Sequence, residues 1–383
     1  MPIYHQLGEV PRKRHQVFRK TDGSLYYEEL AGNMGFTGPA SLLYHLHRPT
    51  EVRGLKHLHD VTPQPASSQP LRHRHFRTCA LSTGPDAILD RVPILFNQDV
   101  VLSLVRPMSN RSFYRNAQAD EVIYVSEGGG ILESPLGRLA FQSGSYLVIP
   151  RGILHRYVFS AQPQSLLVIE STGYVRTPKR YRNEFGQLTE SSPYNERDIR
   201  RPSDLKTYDE SGSFPVIVKK ASQLHELTYA HHPLDVVGWD GYFYPWTISI
   251  HDFEPRTGRF HLPPPIHQTF EGDGFVICSF CPRPYDFDPT AVPAPYSHSN
   301  VMSDEVLYYA NSEFMSRSGV EYGSITLHPD GLAHGPQPGR TEASLGKKDT
   351  NELAVMLDTF RPLQVAQSAV AIEDPDYYLS WLE

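Results

Sequence analysis

Two short segments near the end of the chain hold the residues best suited to bind a metal ion. The first contains His298 and, a few residues later, Glu305, while the second ends at His334. Two imidazoles and one carboxylate are the ligand set of non-haem Fe(II) sites that keep coordination positions open for O₂. We therefore predict that these three side chains form a metal centre.

The residues before His334 predict the strand and turn that position it. Polar and apolar side chains alternate over residues 324–328, which is the period of a half-buried strand. Pro329 ends the strand because it has no N–H to donate. Gly331 then supplies the backbone freedom of a tight turn. The turn places His334 at the start of the next strand.

These spacings match the two motifs of cupin barrels. The first motif is H-x-H/N followed by E after three or four residues, and it is matched by His298, Asn300 and Glu305. The second is G, five residues, then P-x-G-x-x-H, and it is matched by Gly323, Pro329, Gly331 and His334. Cupins are double-sheet jelly rolls, so the predicted fold class is all-β.

The second motif occurs twice, which predicts a tandem repeat. Residues 144–155 have the same spacing, with an acidic pair upstream as in the C-terminal copy. In our alignment, Phe113 and Arg115 stand where the C-terminal copy has His298 and Asn300. We therefore predict two cupin barrels in one chain, the first degenerate and metal-free, the second carrying the metal.

The length of 383 residues is consistent with two or three domains. We predict an N-terminal domain over residues 1–213, which comprises an N-terminal extension, a barrel core at about 95–172 and a polar linker. The catalytic barrel is predicted over residues 214–383. Three cysteines do not indicate a disulfide framework, and the pair Cys278 and Cys281 is interpreted as two core thiols.

Charge and hydropathy exclude other classes of protein. The net charge is −7, from 36 basic and 43 acidic residues, and no basic block stands out. This argues against nucleic acid as a partner. No segment has the apolar length of a signal peptide or a membrane span, so no membrane partner is predicted and the expected location is the cytoplasm.

Other paired histidines are predicted not to bind metal. The pairs His45 and His47, and His73 and His75, lack a carboxylate or a Pro-Gly-His turn at the right distance. The adjacent His231 and His232 cannot share one face of a strand. Arginines surround His73 and His75, which favours a solvated polar stretch for that segment.

The chain also resembles the homogentisate 1,2-dioxygenase family over most of its length. The N-terminal match is residues 25–49, with Glu-Glu-Leu-Ala-Gly and Phe-Thr. Further matches are PLDVVGW at 233–239 and PYSHSNVMS at 295–303. The last match is Leu327-His328 together with His334-Gly335-Pro336.

For the metal, this resemblance implies Fe(II) bound by His298, Glu305 and His334. The acidic ligand of the family follows the first histidine by six residues, and that spacing favours Asp304 in this chain. The strand pattern and the acidic pair of the first barrel favour Glu305 instead. Glu305 is our prediction and Asp304 is the alternative.

For the substrate pocket, the resemblance implies four further residues. His267 aligns with the family's acid–base histidine, although three preceding prolines favour an exposed loop there. His328 is expected to bind a phenolic oxygen and to be a second candidate base. Tyr296 is expected to line the pocket. Phe314 lies near a tyrosine of the family and is expected to contact the substrate.

The implied reaction is cleavage of the ring of homogentisate by O₂ to give maleylacetoacetate, a step of aromatic amino acid catabolism. The resemblance also implies a homo-oligomer, either a trimer or a hexamer. Three alternatives stay open: a ring-cleaving dioxygenase for gentisate or another hydroquinone, a Zn-dependent bicupin isomerase, and a bicupin that binds without catalysis. An isomerase of sugar phosphates would need a basic cluster, which the motifs lack.

Overall fold

The computed structural model describes residues 3–109, 112–160, 163–299 and 302–382. Within these residues the only α-helix is the short α1 (Arg340–Ser344). The remaining helical turns are 3₁₀: Thr78–Ala80, Lys179–Tyr181, Ile250–Asp252, Pro264–His267, Gln367–Ile372 and Tyr377–Trp381. No helix in the described ranges is long and apolar enough to cross a membrane.

The first half of the chain contributes fourteen strands, β1 to β14. They are β1 (His5–Gly8), β2 (Tyr27–Gly32), β3 (Ala40–His45), β4 (Val52–Asp60), β5 (Arg74–Phe76), β6 (Val92–Phe96), β7 (Val100–Val105), β8 (Phe113–Asn116), β9 (Asp120–Glu127), β10 (Gly129–Ser134), β11 (Gly137–Gln142), β12 (Ser145–Ile149), β13 (Arg156–Phe159) and β14 (Ser165–Ser171).

The second half contributes twelve more strands, β15 to β26. They are β15 (Ser211–Lys220), β16 (Gln223–His231), β17 (Val236–Gly241), β18 (Trp246–Ser249), β19 (Gln268–Gly272), β20 (Phe275–Phe280), β21 (Arg283–Pro284), β22 (Asp304–Tyr309), β23 (Ile325–His328), β24 (Asp349–Thr350), β25 (Ala354–Thr359) and β26 (Gln364–Val365). The predicted all-β fold of two cupin barrels is confirmed.

The two copies of the motif lie in two different sheets. The first copy belongs to a seven-stranded sheet with the order β18-β12-β9-β14-β7-β6-β26. The second belongs to a six-stranded sheet with the order β19-β20-β25-β22-β23-β5. Two four-stranded sheets, β1-β17-β3-β2 and β4-β16-β15-β8, join N-terminal strands to strands that follow residue 210.

Strand pairing crosses the predicted domain boundary after residue 213. β5 from the N-terminal half pairs with β23 of the second barrel, and β26 from the C-terminus pairs with β6 of the first. β18 likewise pairs with β12. Each of the two large sheets therefore ends in a short strand from the other half of the chain, and short edge strands limit pairing with other chains.

The predicted linker at 173–213 is packed against the barrels. Tyr181 and Tyr194 are buried there. The Tyr181 hydroxyl donates to the carbonyl of Pro265 at 3.1 Å, and the Tyr194 hydroxyl donates to that of Thr269 at 2.6 Å. The segment thus supports the stretch of chain that carries His267.

The glycine turns of the two motif copies have the same conformation. Gly152 has a φ of 82° and Gly331 a φ of 78°. Both angles lie in the left-handed region, where a side chain is strained. The turn predicted from the sequence is therefore formed in both barrels.

The internal repeat has a different register from the one we predicted. The backbones of His298 and His334 exchange hydrogen bonds of 2.8 and 2.9 Å. In the first barrel the residues that exchange such bonds are Tyr114 and His155, at 2.8 and 2.9 Å. The counterpart of His298 is therefore Tyr114, and our alignment to Phe113 was wrong by one residue. The spacing to the following glutamate, 121 or 305, is the same in both copies.

The interior of the first barrel holds a buried ion pair at the position of the repeated glutamate. The Arg91 guanidinium donates to both carboxylate oxygens of Glu121, at 2.7 and 3.1 Å. Tyr114 and Asn116 donate to the same carboxylate. Burial alone would raise the pKa of Glu121, but Arg91 outweighs it and holds that pKa at about 2. The cation beside this site is Arg91 and not the predicted Arg115.

The segment around His73 and His75 is not the solvated stretch we predicted. His75 is 2% exposed, and its Nε2 lies 2.8 Å from the hydroxyl of Ser324. The guanidinium of Arg74 pairs with the buried carboxylate of Glu373 at 2.7 Å. The polar side chains of β5 and β23 are buried although the alternating pattern of the sequence suggested that they face solvent. Groups from distant parts of the chain supply their hydrogen bonds and ion pairs.

The Arg91–Glu121 pair gives a prediction about stability. Arg91→Met leaves the Glu121 carboxylate buried without its cation, and we expect the free energy of unfolding to fall by about 3–5 kcal/mol. Chemical denaturation measures the change. Adding Glu121→Gln to Arg91→Met is expected to restore much of the loss, and a single variant as stable as the parent would contradict this role.

The Arg91–Glu121 pair makes the free energy of unfolding depend on pH in the acid range. The folded-state pKa of Glu121 is lowered from 4.5 to about 2. Its contribution is therefore present above pH 4.5 and is lost as the pH falls toward 2. Arg91→Met is expected to flatten this part of the stability profile.

Candidate metal centre

Glu305 is the second residue of β22, a strand that lies between β25 and β23. It is directly opposite His328 of β23 and opposite Asp358 of β25. All six residues of β22 are buried, because the strand runs through the middle of its sheet. The carboxylate is thus fixed inside the barrel by backbone pairing on both sides.

Three side chains converge at this point. The Nε2 atoms of His298 and His334 lie 3.7 and 3.5 Å from Oε2 of Glu305. The ligand atoms of the three residues all lie within 4.8 Å of one another. The structure therefore brings together the three residues that the motifs select.

Both histidines are oriented by their own backbone. Nδ1 of His298 lies 3.2 Å from the carbonyl oxygen of Tyr296, and Nδ1 of His334 lies 3.2 Å from that of Leu332. A carbonyl only accepts, so each Nδ1 carries the proton and each Nε2 presents a lone pair to the centre. Nε2 of His334 is buried and has no hydrogen-bond partner. Two imidazole nitrogens and one carboxylate oxygen fit a divalent metal with open positions.

The adjacent carboxylate of Asp304 is engaged elsewhere. Its oxygens accept hydrogen bonds from the backbone N–H of Asp330 at 2.8 Å and from that of Leu363 at 2.6 Å. Asp120 of the first barrel accepts from two backbone N–H groups in the same way. Asp304 therefore ties two loops to β22, and Glu305 is the carboxylate that faces the histidines.

His328 lies behind Glu305. Its Nδ1 donates to Oε1 of Glu305 at 2.8 Å, and its side chain is fully buried. Burial and the neighbouring Arg317 guanidinium lower the pKa of His328 to about 3, so the ring is neutral. Its Nε2 faces the Tyr377 hydroxyl at 3.4 Å. This position orients the glutamate and does not support the predicted contact between His328 and a substrate oxygen.

A cavity of about 440 Å³ opens beside the three converging side chains. Its wall includes the predicted pocket residues His267, Tyr296 and Phe314, together with His298 and Glu305. Tyr296 is 62% exposed, at the surface of the cavity. Phe314 packs edge-on against Tyr309, with ring centroids 4.9 Å apart. The cavity thus has aromatic walls and a polar end formed by the candidate metal ligands His298 and Glu305.

His267 is buried in the cavity wall and does not lie on an exposed loop. The prolines before it form the 3₁₀ turn Pro264–His267, and the imidazole is 6% exposed. Burial, reinforced by the charge of Arg283, lowers the pKa of His267 to about 3. Its Nδ1 has no hydrogen-bond partner. The ring is therefore neutral and has a nitrogen free to accept a proton.

The sequence did not reveal four residues that surround the centre. Arg317 lies between the two motifs and belongs to neither, while Asp358, Tyr377 and Trp381 follow well after the second motif, so their proximity to the centre depends on the fold. Trp381 donates to the carbonyl of Gly335 at 3.1 Å. The last 3₁₀ turn therefore closes the side of the centre behind His328.

Two variants separate the adjacent carboxylates. Glu305→Ala is expected to abolish metal binding while the fold is retained. Asp304→Ala is expected to keep the metal and to lower the free energy of unfolding by about 1–3 kcal/mol, because two backbone donors lose their acceptor. Metal content by mass spectrometry and denaturant unfolding measure both effects. Loss of metal in Asp304→Ala alone would contradict the assignment.

A third variant tests the position of His328. His328→Gln removes the ring that orients Glu305, and we expect metal affinity to fall about 10- to 100-fold. Anaerobic competition with a chromophoric chelator measures the affinity. His225→Gln, on the distant strand β16, is the control and is expected to leave the affinity unchanged. Equal affinities in the two variants would show that His328 does not support the ligand.

Comparison with known proteins was made for sequence and for structure. Residues 100–250 match the family model described as homogentisate 1,2-dioxygenase N-terminal. Two solved structures that are similar are a cupin 2 conserved barrel domain protein from Leptotrichia buccalis, and a mutant of Bacillus subtilis oxalate decarboxylase. The first has a TM-score of 0.36 and 11% identity, and covers 77% of this chain and 100% of its own. The second has a TM-score of 0.35 and 11% identity, and covers 77% and 78%.

Two curated relatives extend over nearly the whole chain. A protein of Saccharolobus solfataricus named "Putative dioxygenase SSO1533" is 42% identical over 385 residues, covering 100% of this chain and 99% of its own. A homogentisate 1,2-dioxygenase of Sinorhizobium medicae is 26% identical, covering 98% and 89%. Together with the converging ligands, these matches show that the chain belongs to the homogentisate 1,2-dioxygenase family.

Proposed function

We propose that this protein is an Fe(II)-dependent dioxygenase that cleaves the ring of homogentisate with O₂ to give maleylacetoacetate. The observation that carries the proposal is the convergence of two Nε2 atoms and one carboxylate oxygen at the end of an aromatic cavity. The dioxygenase relatives support the class of reaction. The substrate and the identity of the metal are the proposed parts.

The residues that would hold the metal are His298, Glu305 and His334. When bound, Fe(II) supplies a centre that holds a substrate oxygen and O₂ side by side and allows electrons to pass from the ring to oxygen. The protein fixes the three ligand atoms before substrate arrives, because the imidazoles are held by backbone carbonyls and Glu305 is held by His328.

The proposed base is His267. A phenolic proton must leave before the ring becomes electron-rich enough to react with oxygen. The free Nδ1 of this neutral imidazole lies in the wall of the same cavity, with its ring packed 4.7 Å from that of Phe280. A buried and rigid position of this kind places a proton acceptor beside the substrate ring.

The second candidate is ring cleavage of gentisate or another hydroquinone. The observation that favours it is Phe314, which lines the cavity and has no hydroxyl for the side chain of homogentisate. Phe280 and Tyr309 pack against Phe314 and make this part of the wall apolar. A substrate with a shorter acidic group would leave the apolar wall in contact with the ring.

The function is tested by oxygen consumption after anaerobic loading with Fe(II). We expect uptake of O₂ with homogentisate, and a product whose mass equals that of the substrate plus both oxygen atoms. The Zn(II)-loaded protein and Glu305→Ala are expected to consume none. Uptake with gentisate or hydroquinone but not with homogentisate would retain the reaction class and reject the proposed substrate.

A further inference from the structure

A buried arginine beside the candidate metal ligands has no carboxylate in direct contact with its guanidinium. Arg317 lies in the wall of the cavity and is 3% exposed. Within the described parts of the chain, no aspartate or glutamate oxygen lies within 4.0 Å of its guanidinium. Burial of an unpaired charge is costly, so a guanidinium in this position is expected to have an anionic partner.

The contacts of this guanidinium are with carbonyl, hydroxyl and ring groups. Nη1 donates to the carbonyl of Gly335 at 2.6 Å, and to the carbonyl and hydroxyl of Ser316 at 3.1 and 3.2 Å. Nη2 lies 3.5 Å from Nε2 of His328. The ring of Trp381 lies 5.4 Å from the guanidinium carbon. Nε is buried and has no partner, so a donor remains for a ligand.

Two other arginines with little exposure are paired with carboxylates. Arg283 lines the same cavity, and its guanidinium lies 2.6 Å from the buried carboxylate of Glu352. Arg91 pairs with Glu121 in the first barrel at 2.7 Å. Arg317 therefore differs from them in having no anion of its own.

We propose that Arg317 is a specificity-determining residue that binds the carboxylate of an aromatic acid substrate. This inference rests on the proposed function and narrows its substrate class to dihydroxyphenyl acids, since neutral hydroquinones lack the group that balances the guanidinium. A carboxylate bound there gains charge-assisted hydrogen bonds in a buried site. Because Nη1 is bonded to Gly335, the residue after His334, the acid group lies at the metal end of the cavity.

A second polar group beside the centre is Asp358, which lies opposite Glu305 on the neighbouring strand. It lines the same cavity, and its buried Oδ1 has no hydrogen-bond partner. A carboxyl side chain is a suitable partner for a phenolic hydroxyl and a poor one for a carboxylate. Arg317, and not Asp358, is therefore the group that suits the acid end of the substrate.

The first experiment uses the unchanged protein and measures binding instead of turnover. Anaerobic titration calorimetry of the metal-loaded protein compares 2,5-dihydroxyphenylacetate with its methyl ester and with methylhydroquinone. We expect the acid to bind about 10- to 100-fold more tightly than either neutral compound. Equal affinities would overturn the proposal.

The second experiment assigns the discrimination to one side chain. Arg317→Met is expected to reduce the ratio of acid to ester affinity to near one, and Arg317→Lys is expected to keep part of it. Arg283→Met is the matched control, because it removes a cavity arginine that already has a carboxylate partner. If Arg317→Met fails to fold, Arg317→Lys and the titration of the parent protein still test the proposal. A ratio lost in Arg283→Met and kept in Arg317→Met would overturn the assignment.

The outcomes separate this inference from the proposed function. If acids bind tightly through Arg317 but homogentisate is not consumed, the function fails and the anion site stands. If homogentisate is consumed while the acid and its ester bind equally, the function stands and the role of Arg317 fails.

Discussion

The carboxylate of Glu305 is buried in the second barrel, and the arrangement around it follows from the need to stabilise that charge. Burial alone would raise its pKa, but the close imidazoles of His298 and His334 and the hydrogen bond from His328 hold that pKa well below its usual range. Two of these imidazoles present the lone pairs suited to a metal, and the third orients the carboxylate from behind. One buried carboxylate is thus stabilised by the same imidazoles that build the centre.

The first barrel meets the same requirement in another way. Its glutamate, Glu121, occupies the equivalent position on the strand, and the guanidinium of Arg91 covers both oxygens. His155 keeps the orientation of its counterpart, with Nδ1 3.0 Å from the carbonyl oxygen of Ile153, but its Nε2 has no hydrogen-bond partner. The guanidinium of Arg91 pairs with the glutamate of the first barrel. The glutamate of the second barrel faces two imidazoles that are suited to bind a metal with it.

The local parts of this architecture could be predicted from the sequence. The Pro-Gly turn before His334 and the strand that precedes it depend on neighbouring residues, and both are formed, although β23 is buried on both faces and not half-buried as expected. The choice of Glu305 over Asp304 followed from the acidic pair repeated in the first barrel. The sequence identified these elements because the signals for a turn and for an extended strand lie within one short stretch of chain.

The parts that the sequence did not predict depend on distant partners. The burial of His267 depends on the packed segment that contains Tyr181, and the position of His328 depends on a C-terminal turn that contains Tyr377. Aligning the repeat at Phe113 instead of Tyr114 placed the wrong face of β8 toward the barrel. The correct alignment could have been found from the sequence, because it gives both copies the same spacing to the glutamate. Arg317 belongs to neither motif, and its function is indicated only by the lack of a carboxylate in contact with its guanidinium.

The most direct test of the metal centre is the location of iron in crystals of the anaerobically loaded protein. Anomalous diffraction at the iron absorption edge is expected to give one peak per chain, between Nε2 of His298, Nε2 of His334 and the carboxylate of Glu305. A peak beside Glu121 and His155 in the first barrel, or a peak coordinated by Asp304, would contradict the account.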